Sequence, residues 1–203
     1  AVALLAAVAV AAAGAPAAAP AASPCPALAP LRTSKVASSF DPSKLVGFYY
    51  EQAFVDIAQL GASCPTLNST LNATTGEIDM AFAVKYGSIP FTIIESYVPQ
   101  NASTERALYM KHAKMPFGSL LQLPTVVVDA VEGADGGYDA VTLYSCLPAL
   151  GHAVQELVLA TRARAPAAAV LAAMEAVVTA QAVPVNVTAL NRVDWSKCAS
   201  ASA

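Results

Sequence analysis

Residues 78–86 read Ile78-Asp79-Met80-Ala81-Phe82-Ala83-Val84-Lys85-Tyr86. Large apolar side chains occupy every second position, and Asp79, Ala81, Ala83 and Lys85 fall between them. Successive side chains of an extended chain point to opposite faces, so the pattern predicts a strand with one apolar and one wet face. The turn Thr74-Thr75-Gly76 precedes it. Before that turn, Thr66–Asn72 alternates in the same way, with Leu67 and Leu71 opposite Thr66, Asn68, Thr70 and Asn72.

Further strands are expected at Val46–Val55, Pro90–Val98, Arg106–His112, Pro124–Val131, Tyr138–Cys146 and Ala153–Arg162, separated by Pro- and Gly-containing turns. A helix is expected over Ala167–Ala182, because Pro166 suits a helix entrance and the stretch is rich in Ala, Leu and Met. A last short strand is expected at Val185–Leu190. The order predicts an all-β fold: an eight-stranded up-and-down antiparallel β-barrel with one C-terminal α-helix and a short final strand.

The chain has 203 residues, 56% apolar and only 12% charged, with net charge −3. That composition excludes a disordered polyelectrolyte, and the missing basic excess argues against a nucleic-acid partner. His112 and His152 are the only histidines, which leaves little for a His-based metal site. The first charged residue is Arg32. Residues 1–13 form an apolar run, shorter than the roughly 20 residues a membrane-spanning helix needs. Residues 1–22 therefore read as a signal peptide or targeting segment. Residues 23–39 read as an N-terminal extension, 40–198 as the barrel domain with its helix, and 199–203 as a tail.

Cys25, Cys64, Cys146 and Cys198 form no C-x-x-C pair, so disulfides are expected rather than a metal site. Sequons at Asn68, Asn72, Asn101 and Asn186 point to glycosylation in the secretory pathway. Secretion is the expected location, with a plastid lumen as the alternative.

These features resemble the lipocalin family, most closely its apolipoprotein D-like members. The resemblance spans about residues 25–198 and rests on Gly47-Phe48-Tyr49-Tyr50-Glu51, Leu143-Tyr144-Ser145-Cys146, Arg164-Ala165-Pro166 and Val193-Asp194 before Cys198. The family's motif Trp is Tyr49 here, and its Thr-Asp-Tyr motif survives only as Asp129 followed by Ala130. The resemblance implies disulfides Cys25–Cys146 and Cys64–Cys198. It also implies a structural closure in which an arginine covers the ring of Tyr49 beside Gly47. Arg164 holds the motif position, and Arg162, of the same strand parity, competes with it.

The resemblance further implies that the barrel binds and carries or stores a small hydrophobic ligand such as a lipid, sterol, retinoid or pigment. An eight-stranded barrel can hold one such molecule. The lining candidates are Tyr49, Met80, Phe82, Val84, Phe91, Ile93, Glu95, Tyr97 and Met110. Glu95 reads either as a carboxylate that orients a polar ligand end or as an outward side chain. No nucleophile motif or matched acid–base pair occurs, so a non-catalytic protein without cofactor or metal is expected. A monomeric carrier is expected, with contact to a membrane or receptor left open. Two alternatives stand beside it: a lipocalin-fold enzyme acting on a lipid or carotenoid, and a filled barrel acting through its surface.

Overall fold

The computed structural model describes residues 23–101, 105–149 and 151–198. The expected leader and the 199–203 tail lie outside them. Nine strands form one sheet: β1 (Gly47–Val55), β2 (Ala62–Leu71), β3 (Ile78–Tyr86), β4 (Ile89–Asn101), β5 (Glu105–Ala113), β6 (Leu123–Glu132), β7 (Tyr138–Ala149), β8 (His152–Thr161) and β9 (Asn191–Arg192). Strands β1 to β8 pair antiparallel in order. β1 also pairs with β8, which closes an eight-stranded barrel, and β9 adds to β1 outside it.

Among the described residues two helices flank the barrel, α1 (Ser34–Ser39) and α2 (Ala168–Ala180). α1 was not expected; six residues are too few to show helical periodicity. The Thr33 hydroxyl caps it by accepting from the Val36 amide at 3.3 Å. The helix places Val36 and the following Phe40 in the closed end of the barrel.

The final strand is shifted from its expected place. Residues 187–189 form a short 3-10 turn instead, because the Asn186 side chain accepts from the Thr188 amide at 3.0 Å. The chain then pairs only at Asn191–Arg192, opposite Phe54 and Ala53.

Two apolar clusters hold the fold. One lies inside the barrel and includes Tyr49, Met80, Val84, Tyr97, Tyr109, Tyr138 and Leu143. The other lies between the outer face of β6–β8 and α2, where Val126, Val128, Tyr144, Leu157 and Leu159 meet Met174 and Val178. Strands β6–β8 are thus buried on both faces, which explains their nearly continuous apolar sequence. β3 is covered on one face only and alternates.

Disulfides join Cys25 to Cys146 and Cys64 to Cys198, each with Cα atoms 5.7 Å apart. The first ties the N-terminal segment to β7, and the second ties β2 to the end of the chain.

Candidate functional site

The closed end is sealed by a polar girdle. The Arg162 guanidinium carbon lies 4.6 Å from the Tyr49 ring centre. Arg162 Nε donates to the Tyr138 carbonyl at 2.8 Å, and its Nη2 donates to the Val46 carbonyl at 2.7 Å. The Tyr49 hydroxyl donates to the same Tyr138 carbonyl at 2.9 Å. Burial pushes the Tyr49 hydroxyl up to about 12, so it remains a donor. Gly47 has φ +117°, and a Cβ there would sit 2.5 Å from Arg162. The glycine is required by both the backbone and the arginine.

Arg164, the motif position, is not the residue on Tyr49. Its guanidinium lies 5.7 Å from the Trp195 ring centre and donates to the carbonyls of Trp195 and Cys198. It holds the chain's end against the outside of β1, where the Trp195 indole donates to the Glu51 carbonyl at 3.0 Å.

The open half contains a cavity of about 510 Å³, within the roughly 300–1,000 Å³ common for small-molecule sites. Phe82, Phe91 and Ile93 form one wall, from β3 and β4. Met115, Phe117, Leu121 and Leu123 form the opposite lip, and Asp56, Glu95, Lys111 and Glu156 lie at its inner end. The mouth is apolar on its outside as well: Ile57, Leu60, Ile89, Phe117 and Leu120 are each more than two-thirds exposed.

Of the expected lining residues, Phe82, Phe91, Ile93 and Glu95 border this cavity. Tyr49, Met80, Val84 and Tyr97 are packed in the interior cluster, so aromatic side chains fill the closed half. Met110, expected in the lining, lies outside it. On β5 the interior side chains are Ala107, Tyr109 and Lys111, and Met110 faces outward, opposite Val98 and Pro124. Its neighbour Lys111 enters the barrel instead.

Lys111 organises the inner end. Its Nζ is 3.1 Å from Glu95 Oε1 and is also bonded to Glu156. The Tyr97 hydroxyl donates to Glu95 Oε2 at 3.1 Å. Burial alone would lower the Lys111 pKa, but the charges of Glu95 and Glu156 outweigh it and hold the pKa well above the usual value. Burial, then the Glu95 charge, holds the Tyr97 hydroxyl far up as well.

A second layer lies beneath. The 3-10 turn Ile57–Gln59 starts at Asp56, whose Oδ1 accepts from the Ala58 amide at 2.7 Å. The turn drops Gln59 into the barrel, where Nε2 donates to Glu51 Oε2 at 3.0 Å. Burial pushes the Glu51 carboxyl up to about 8, although the Gln59 bond opposes it. Burial and the Glu156 charge raise Asp56. A small void of about 20 Å³ lies among Glu51, Asp56, Gln59, Glu95, Lys111 and Glu156.

Sequence reasoning missed every member of this cluster except Glu95 and Tyr97. Pairing supplies the signal it lacked, since Lys111 sits opposite Tyr97. Among the described residues, no group of three or more His, Cys, Asp or Glu is arranged to hold a metal ion. Asn68, Asn72 and Asn186 are exposed, as is Asn101, whose sequon continues into residues outside the described ones.

No family model matches the sequence, and no curated protein sequence matches it. Solved structures do match in shape. Apocrustacyanin C2 matches at TM-score 0.62 and 14% identity, over 82% of this chain and 87% of its own. Insecticyanin from the tobacco hornworm Manduca sexta matches at 0.62 and 12%, over 84% and 85%. The siderocalin Ex-FABP matches at 0.52 and 10%, over 74% and 89%. At these identities the likeness is one of fold: the chain has a lipocalin-like eight-stranded barrel.

Proposed function

We propose that this lipocalin-like barrel binds a small, largely apolar ligand in its open half and serves as a carrier or store. The observation that carries the reading is the cavity of about 510 Å³ walled by Phe82, Phe91, Ile93 and Leu123. Apolar burial drives such binding, at about 0.8 kcal/mol per CH₂ group removed from water. The neighbours in shape agree with it; the siderocalin is described as functioning through dual ligand specificities. Two disulfides support passage through an oxidising, secretory compartment. Exposed sequons support glycosylation there, and the pairing of the cysteines supports an apolipoprotein D-like kinship. The apolar mouth suits a protein that collects its ligand at a membrane or receptor surface.

Titration with the neutral fluorescent hydrocarbon diphenylhexatriene tests the reading. Saturable one-to-one binding is expected, and Ile93→Trp should abolish it by filling the cavity. Absence of saturable binding would overturn it.

A second reading, an enzyme acting on a bound lipid or carotenoid, has one observation in its favour: Glu51, Asp56 and Tyr97 are titratable groups shifted by burial near the cavity. Mass spectrometry of a ligand recovered after prolonged incubation separates the two. A carrier returns it unchanged.

A further inference from the structure

We infer that the ligand is an amphipathic organic cation, an apolar body whose protonated amine points at the inner end of the cavity. The inference rests on the proposed ligand-binding role and adds the chemistry of the head group.

Charge at the inner end does not balance. Asp56, Glu95 and Glu156 border the cavity, and Glu51 lies just beneath. Facing them among the described residues is one ammonium, that of Lys111. Lys111 is shared between Glu95 and Glu156, and one positive charge cannot neutralise two carboxylates. Asp56 has no ion-pair partner among the described residues. Even with Glu51 and Asp56 protonated, the carboxylates exceed Lys111 by one charge. A partly buried, uncompensated charge carries a cost, and a second ammonium would lower it.

A separate observation points the same way. Gln59 is only 2% exposed. Its Nε2 is used on Glu51, but its carbonyl oxygen Oε1 is buried without a partner. Gln59 borders the small void together with Asp56, Glu95, Lys111 and Glu156, four residues that also border the larger cavity. An unpaired acceptor beside carboxylates calls for a donor-rich group, and a primary ammonium brings three N–H donors and no acceptor.

Competing head groups fit less well. A carboxylate would approach three others and find Lys111 already engaged. A metal ion lacks a converging ligand set among the described residues.

Calorimetric titration of dodecylammonium, dodecanol and dodecanoate at pH 7.4, below their micelle concentrations, tests the head group at constant chain. Dodecylammonium should bind more tightly than dodecanol by on the order of tenfold, as charge-assisted contacts warrant. Dodecanoate should be weakest. Asp56→Asn should cut the amine-to-alcohol ratio at least by about a factor of three. Equal binding of amine and alcohol, or tighter binding of dodecanoate, overturns the inference while diphenylhexatriene binding leaves the carrier reading standing. No binding of any of the four removes both.

Discussion

Arg162 and Tyr49 are joined twice at the closed end: guanidinium over ring at 4.6 Å, and both donating to the carbonyl of Tyr138. The arginine therefore substitutes for backbone pairing where the strands diverge. Phe40 stacks on Tyr138 at 5.5 Å and completes the plug from the N-terminal side.

Removing the arginine should loosen this end. Arg162→Ala leaves the Val46 carbonyl without this donor, leaves the Tyr138 carbonyl to Tyr49 alone and uncovers the Tyr49 ring, at a cost of about 2 kcal/mol. Arg162→Lys should recover little, because an ammonium cannot span both carbonyls in one plane. Gly47→Ala should be at least as damaging, since φ +117° and the approach to Arg162 both exclude a side chain. Urea unfolding monitored by Trp195 fluorescence measures all three. An Arg164→Ala variant that destabilises the barrel more than Arg162→Ala would contradict the assignment.

Stability should fall as pH rises from about 5 to 8. Folding lifts the Glu51 carboxyl from its ordinary 4.5 to about 8. Between those values the native chain keeps a proton that the unfolded chain has released, so each pH unit costs up to about 1.4 kcal/mol. Glu51→Gln lacks this proton linkage. Its unfolding free energy should decline less than that of the parent over the same range, and an identical decline would show that Glu51 is not the group responsible.

Lys111→Met should be severe, about 3 kcal/mol, because Glu95 and Glu156 are left partly buried without a counter-charge. Adding Glu95→Gln and Glu156→Gln to the same chain should restore most of the loss. Thermal unfolding of the single and triple variants distinguishes a charge effect from lost packing, in which case the triple variant would stay as weak as the single one.

The folding class was legible because β3 and β2 bury one face and wet the other. Strands β6–β8 could be recognised from β-branched content, but their faces could not be sorted, since α2 covers the outside. Strand register was beyond reach. The shifts between Val127 and Asp129 and between Glu51 and Ala53 interrupt the parity on which face assignment depends. For the same reason Met110 was placed inside and Lys111 was not considered: a lysine in a strand reads as outward until its partner strand is known. Arg162 and Arg164 share parity, and only the notch at Gly47 and the carbonyl of Tyr138 choose between them. The apolar walls at Phe82, Phe91 and Ile93 were legible from alternation. The polar cluster was not, because its members come from β1, the turn after it, β4, β5 and β8.

Opening the second disulfide should free the end of the chain before it disturbs the barrel. Cys64 and Cys198 are 134 residues apart, and closing so long a loop contributes about 4–5 kcal/mol in the chain-entropy view. Paired Cys64→Ser and Cys198→Ser substitutions should lower the melting temperature by at least about 5 °C. Arg164 still holds the Trp195 carbonyl, so the far-ultraviolet strand signal should persist. Loss of that signal at ambient temperature would mean that the bridge is needed for the barrel itself.

The one-sided placement of α2 makes the barrel mechanically uneven. Amides of β6–β8, shielded inside and out, should exchange hydrogen only on global unfolding, whereas those of β3 and β4 lack the outer cover and should exchange through local openings. The wall that carries Phe82, Phe91 and Ile93 is then the compliant one, and the wall under the helix is a rigid back. A ligand bound as proposed would enter by the yielding of that side.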